Sequence, residues 1–123
     1  MWRLNPFHRV RCRPADAHVV VSVAGRVLAD ARHAVVLHET GVPERYYLAP
    51  ADVALKLLRP SARTTRCPFK GRAVLWSADL DDGCVEDVAW CYPEPRRPAG
   101  LVAGLIAFDP ARARVVVDGR VSR

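Results

Sequence analysis

The sequence predicts a single, mainly β domain of antiparallel strands, with one short helix near residues 50–58. Its apolar stretches are short and rich in β-branched and aromatic residues, which favours strands over helices. Ten prolines and seven glycines divide the chain into short segments. A chain of 123 residues suits one domain, and its 50% apolar content is sufficient to form a core.

The first half of the chain predicts four strands. Residues 24–26, Ala-Gly-Arg, supply a turn between two apolar runs, so a hairpin is expected. A third run ends at a turn that contains Gly41 and Pro43. The four strands are expected over residues 18–23, 27–30, 34–38 and 45–48.

One segment has the pattern of a helix. Pro50 suits the first position of a helix, where its missing N–H has no cost. Val53, Leu57 and Leu58 then recur at helical spacing, and Pro60 ends the run. We therefore expect a helix near residues 50–58.

The second half predicts further strands joined by turns. Asp79, Asp81 and Asp82 precede Gly83, a composition typical of a hairpin turn. Along the strand that follows, alternate residues point to opposite faces, which places Trp90 and Tyr92 on one face. These strands are expected over residues 72–76, 85–92, 101–108 and 115–118.

The positive charge lies at the two ends of the chain. The formal charge is +6, of which residues 1–16 and residues 112–123 carry +3 each, so the rest is neutral. A nucleic-acid-binding protein is expected to show a basic face interleaved with aromatic residues, which this sequence lacks. We expect a basic arm over residues 1–16, one domain over residues 17–119 and a short tail over residues 120–123. We do not expect nucleic acid to be a partner.

The four cysteines form no CxxC pair, which excludes a zinc ribbon and a thioredoxin motif. No apolar region of a secretory signal is present in the first twenty residues, and the longest apolar run is too short to span a membrane. We expect a cytoplasmic protein with reduced thiols, no membrane association, no metal and no cofactor. The four cysteines are Cys12, Cys67, Cys84 and Cys91.

Cys67 and Lys70 are the candidate catalytic residues. Cys67 lies between Arg66 and Lys70, and two nearby cations would favour the thiolate form of an exposed cysteine. Lys70 is one of only two lysines among nineteen cations, which indicates a need for a compact charge. The alternative is that Cys67 is a small buried residue beside a rigid Cys-Pro turn.

The large aromatic residues and a few charged ones form a candidate ligand site. A small-molecule site requires aromatic walls and a few convergent polar groups. The alternative is that these aromatic residues form the core of a small β domain. The candidate ligand-binding residues, with Lys70 beside them, are Glu39, Tyr46, Tyr47, Trp76, Asp87, Trp90 and Tyr92.

Several motifs together resemble the DUF427 family, which is sometimes labelled nucleotidyltransferase-like and has no established activity. The resemblance covers about residues 17–119 and implies an antiparallel β domain of the Mss4-like, or β-tent, type that encloses a pocket. The label itself finds no support, because Asp79 and Asp81 lack the Gly-Ser turn that precedes paired metal-binding aspartates in that chemistry. The matching segments are Leu-His-Glu at 37–39, Thr-Arg-Cys-Pro-Phe-Lys-Gly at 65–71, Trp-Ser at 76–77 and Trp-Cys-Tyr-Pro at 90–93.

Three functions fit this sequence. The leading hypothesis is a cytoplasmic domain that binds a small ligand in an aromatic pocket, with Lys70 meeting an anionic or carbonyl group. The second is an enzyme that uses Cys67 as a nucleophile or Lys70 to stabilise negative charge, with His33 or His38 brought in as a base. The third is a protein-interaction module that uses a sheet edge or the basic ends. A homodimer is compatible with all three.

Overall fold

The computed structural model describes residues 8–67 and 70–123. Within these ranges it contains nine strands, joined by turns and by three single-turn 3₁₀ helices, so the predicted mainly β fold is confirmed. The strands are β1 (Val10–Val23), β2 (Arg26–Glu39), β3 (Val42–Tyr47), β4 (Leu58–Cys67), β5 (Gly71–Leu80), β6 (Gly83–Cys91), β7 (Ile106–Phe108), β8 (Arg114–Val117) and β9 (Arg120–Val121).

The strands form two antiparallel sheets. The first has the order β3-β2-β1-β8-β9, and the second has the order β4-β5-β6-β7. Leu48, just after β3, pairs with Ile106 of β7 through two backbone hydrogen bonds of 2.8 and 2.9 Å. This bridge joins an edge of one sheet to an edge of the other, so the two sheets curl around a shared interior.

The predicted β1–β2 hairpin is confirmed, but the strand after it is longer than expected. Ala24 and Gly25 form the turn with φ angles of 49° and 78°, the left-handed backbone that a two-residue hairpin turn requires. The runs 27–30 and 34–38 were expected to be separate strands, yet both belong to β2. They are continuous because Ala31 and His33, which lie between the two runs, also pair with β1, across a bulge between Asp16 and Val19.

β1 begins before the predicted domain boundary. Val10 already pairs with Glu39, and the ladder runs without a shift to Asp16 opposite His33. The boundary expected after residue 16 therefore lies within β1, and residues 10–16 belong to the sheet. Residues 1–7 of the expected arm lie outside the described residues.

The prediction of a helix near residues 50–58 is wrong. Two separate 3₁₀ turns, Pro50–Asp52 and Leu55–Leu57, take its place. Between them Val53 is extended and buried, and it pairs with Ala29 of β2. This tertiary contact overrides the helical spacing.

β4 was not predicted. The strand is rich in Arg, Ser and Thr, and therefore shows no apolar run. It lies at the edge of the second sheet, where Pro60 is tolerated because one side of the strand needs no ladder hydrogen bond.

The β5–β6 hairpin turns at Asp81 and Asp82, within the predicted turn. The strict alternation expected for residues 85–92 is broken, because a bulge at Asp87 (φ 53°) interrupts the β5–β6 register. The strand expected over residues 101–108 is correct only for its last three residues, since residues 100–102 form a 3₁₀ turn.

Buried apolar residues form two clusters. The larger joins residues of both sheets, among them Val19, Leu28 and Val88. The smaller surrounds Tyr47 and Tyr92 and includes residues of β1, β2 and β7. None of the helical segments in the described ranges is long and apolar enough to cross a membrane.

Candidate functional site

A buried ion pair joins Glu39 to Lys70. Glu39 is the last residue of β2, and Lys70 lies in the turn that leads into β5. Lys70 Nζ donates to Glu39 Oε1 at 2.5 Å, and it also lies 5.8 Å from the centre of the Tyr92 ring. The Lys70 ammonium thus meets a carboxylate and the negative face of an aromatic ring.

His8 completes this group, which we call the Lys70 cluster (His8, Glu39 and Lys70). Its Nε2 lies 3.0 Å from the second carboxylate oxygen of Glu39. The sequence offered no signal for His8, because it precedes the first strand. His33 and His38, proposed above as bases, contact Asp16 and Glu44 respectively and are both well exposed.

Three of the predicted aromatic residues lie together beneath the Lys70 cluster. Tyr47 and Trp90 pack edge to face at 6.2 Å, and Trp90 Nε1 donates to the Tyr47 hydroxyl at 2.9 Å. Tyr92 lies 6.5 Å from Tyr47. Burial raises the pKa of Tyr47 and of Tyr92 above the ordinary tyrosine value, so both remain neutral well above physiological pH.

Tyr46 and Trp76 are not part of this group. Tyr46 is adjacent to Tyr47 on β3 and therefore points to the opposite face. Trp76 pairs with Ala89, and Trp90 follows Ala89, so the two tryptophans lie on opposite faces of the second sheet. Tyr46 and Trp76 both pack against the larger cluster.

Asp87 also lies elsewhere, beside a second polar group. Its backbone N–H donates to Ser77 Oγ at 3.0 Å. Ser77 is six residues beyond Gly71 on β5, which is about 20 Å along the strand. Asp87 is therefore far from the turn that carries Lys70. The nearby polar group, which we call the Arg59 network, consists of Arg59, Asp79, Cys84 and Glu86.

Cys67 is half-buried beside the Lys70 cluster. The Lys70 N–H donates to its carbonyl oxygen at 3.3 Å, and its side chain packs against the smaller cluster. Cys12 packs there as well, and burial raises the pKa of its thiol although the charge of Lys70 opposes the rise. A catalytic role for Cys67 stays a prediction.

The backbone conformation and close packing at Gly71 explain why the motif around Lys70 ends in glycine. Its φ of 109° disfavours any side chain, and a Cβ atom would lie 3.3 Å from the Glu94 carbonyl oxygen. The loop after β6 can therefore pack directly on the turn, where the Arg96 N–H donates to the Lys70 carbonyl at 2.8 Å.

An open cavity of about 440 Å³ adjoins the Lys70 cluster. Its walls come from the beginning of β1 and from the loop after β6, and His8 belongs both to the cavity and to the Lys70 cluster. No aspartate or glutamate is among the described lining residues. These are His8, Arg9, Val10, Arg11, Arg96, Arg97 and Pro98.

No group of three or more His, Cys, Asp or Glu side chains in the described ranges is arranged to hold a metal ion. The groups that the described residues do bring together are a shielded ion pair, an aromatic support and a cationic opening.

Comparison with known proteins agrees with the resemblance noted from the motifs. No curated protein gives a significant match. The family model described as a domain of unknown function, DUF427, matches residues 11–119. This match begins within β1 and includes Glu39, Lys70 and the aromatic residues beneath them. The chain therefore belongs to the DUF427 family.

Proposed function

We propose that the protein binds a small ligand in the cavity beside the Lys70 cluster. The observation that supports this most directly is the placement of a buried, hydrogen-bonded ion pair next to an open cavity of ligand size. Small-molecule sites are commonly clefts of roughly 300–1,000 Å³ with a few fixed polar groups.

The energetics of the ion pair support a functional role. Removing two charges from water costs several kcal/mol, and a hydrophobic pair of similar volume often serves stability as well. A β domain of this size therefore gains little from a buried Lys–Glu pair as such. A buried Lys–Glu pair does, however, present a polar group of fixed orientation to a ligand.

The aromatic residues hold this polar group in place. Tyr47 is almost completely buried, and its hydroxyl accepts the Trp90 N–H. Tyr92 packs against Tyr47 and places its ring near Lys70 Nζ. In this proposal Tyr47, Trp90 and Tyr92 form the support of the site, while Glu39, Lys70 and His8 form its polar edge.

An NMR screen of small neutral and anionic fragments against ¹⁵N-labelled protein tests this proposal. We expect bound fragments to shift the Trp90 indole signal and the amides of Val10 and Arg97. The Lys70→Met variant should lose these shifts. Lys56→Met is the matched control, because Lys56 lies in an exposed turn and lines none of the cavities described above.

A Glu39→Gln/Lys70→Met double variant guards against simple unfolding, because it leaves no unpaired buried charge at these two positions. It should fold and still lose the shifts. Fragments that bind elsewhere on the surface, or that bind the folded double variant unchanged, would contradict the proposal.

The cytoplasm is the proposed location. Its support is chemical: all four cysteines are free thiols, and cytosolic reductants maintain that state.

A further inference from the structure

We infer that the group recognised in this cavity is a multiply charged oxyanion, such as the phosphate or diphosphate of a small molecule, bound by Arg9, Arg11 and Arg97. The inference rests on the proposed function and adds the chemical class of the ligand.

The charge of the cavity supports this inference first. Arg26, Arg59 and Arg112 each lie near a carboxylate. Within the described ranges, Arg9, Arg11 and Arg97 have no such carboxylate partner, and the remaining residues of the chain contain no Asp or Glu. These three arginines lie around one opening and repel one another, and an anion between them relieves that repulsion.

The backbone that carries these arginines is well anchored. The Arg9 N–H donates to Thr40 Oγ1 at 2.8 Å, and its carbonyl accepts the Thr40 N–H at 3.0 Å. Arg9 immediately precedes β1 and continues its pairing with Thr40, and Arg11 lies two residues further along in β1, so the two side chains project from the same face. Arg97 follows Arg96, whose N–H and carbonyl are both hydrogen-bonded, to Lys70 and Ala99.

Arginine is the side chain suited to this task. Its planar guanidinium presents paired N–H donors that match the oxygen spacing of phosphate and carboxylate groups. Several such groups on opposite walls can contact different oxygens of one tetrahedral anion. A diphosphate fits easily within a cavity of about 440 Å³.

Lys70 has a different role from the one expected from the sequence. Its ammonium is already neutralised by Glu39, so it adds little net charge to the cavity. The arginines therefore supply the attraction for the anion. The Lys70 cluster, reached through His8, is left to contact the uncharged part of the ligand.

Titration with inorganic pyrophosphate, followed by calorimetry and by ¹⁵N NMR, tests this inference. We expect saturable binding that shifts the amides of Val10, Arg11 and Arg97. Arg11→Gln and Arg97→Gln should each weaken binding about tenfold, because each removes a charge-assisted hydrogen bond. Arg32→Gln is the matched control, since Arg32 is exposed on β2 and lines none of the cavities described above.

The outcomes separate this inference from the proposed function. If neutral fragments bind beside Trp90 but pyrophosphate does not, the oxyanion inference fails and ligand binding stands. If neither binds, both fail. If Arg32→Gln weakens pyrophosphate binding as much as Arg97→Gln does, the attraction is a general effect of net charge and the inference is overturned.

A single-stranded oligonucleotide serves as a further arm of the experiment. Tighter binding of the oligonucleotide than of pyrophosphate, with shifts that extend to Arg120 and Arg123, would replace the small ligand with a nucleic acid. We expect the affinities for pyrophosphate and for the oligonucleotide to differ little. The amide shifts should stay within the residues that line the cavity.

Discussion

The Lys70 cluster and the Arg59 network lie near opposite ends of β5, and both pair basic with acidic side chains. Their exposure differs greatly. The side chains of Glu39 and Lys70 are 9% and 15% exposed, whereas those of Glu86 and Arg59 are 60% and 43% exposed. The same kind of interaction therefore has very different consequences at the two ends of one strand.

Water explains the difference. Around the Arg59 network water screens the charges and solvates each group when its partner leaves, so the bonds add little stability. Hydrogen bonds from the Cys84 thiol, Arg59 and Ser77 lower the pKa of Glu86, which only keeps an exposed carboxylate ionised. At the Lys70 cluster the side chains are largely buried, so water replaces a lost partner much less readily. That end of β5 therefore holds its charged groups more firmly in one orientation.

The largest expected effect is the loss of one member of the buried pair. Lys70→Met leaves Glu39 as a charge without its ammonium partner and should reduce the free energy of unfolding by about 3 kcal/mol. Urea unfolding followed by tryptophan fluorescence measures this. Lys56→Met should change the free energy by less than about 0.5 kcal/mol.

The Glu39→Gln/Lys70→Met double variant sharpens this prediction. It should be less destabilised than the sum of the two single variants, because the second substitution removes the stranded charge. Simple additivity would show that the pair is not energetically coupled, and the contrast between the two ends of β5 would then be lost.

An intermediate effect is expected at alkaline pH. Burial raises the pKa of Tyr47 and Tyr92 in the folded state. Above about pH 10 these groups ionise in the unfolded chain but stay protonated in the folded one, so stability falls as pH rises. Each tyrosine should contribute a loss of about 1.4 kcal/mol per pH unit.

Urea unfolding at a series of pH values from 9 to 11 measures this slope, which should approach about 1.4 kcal/mol per pH unit for each tyrosine. Tyr92→Phe should lower the slope by the contribution of one tyrosine, about 1.4 kcal/mol per pH unit. An unchanged slope in Tyr92→Phe would show that Tyr92 ionises normally, and that the support beneath Lys70 is open to water.

The smallest effect is expected in the Arg59 network. Arg59→Gln removes contacts to Asp79, Glu86 and Cys84, yet it should reduce the free energy of unfolding by less than about 1 kcal/mol. The loss should shrink further in high salt. A loss as large as that of Lys70→Met would show that exposure does not separate the two sites.

Much of the fold could be predicted from local patterns. The turns at Ala24–Gly25 and Asp81–Asp82 have distinct chemistry, and the β-branched runs between turns indicate strands. The failures occurred where long-range pairing decided the outcome. Val53 pairs with a distant strand instead of continuing a helix, and the polar β4 is a strand because β5 lies beside it. The Mss4-like or β-tent assignment stays a prediction.

The sequence predicted the types of residue in the candidate site better than it predicted which individual residues lie together there. Lys70, Glu39 and three of the five aromatic residues lie together, while Tyr46, Trp76 and Asp87 do not. Strand alternation could have separated Tyr46 from Tyr47. No local signal could have joined His8 to Glu39, or placed the loop at 96–98 beside the beginning of β1.

By itself the sequence determined the fold class, the main hairpins and the family, because these depend on neighbouring residues and on motifs of fixed spacing. The tertiary structure alone decided which charges are buried, which faces the aromatic residues occupy and which arginines share a cavity. Burial and register depend on contacts between residues far apart in the chain, as around Asp87, where β6 advances four residues from Val85 to Ala89 while β5 advances only two.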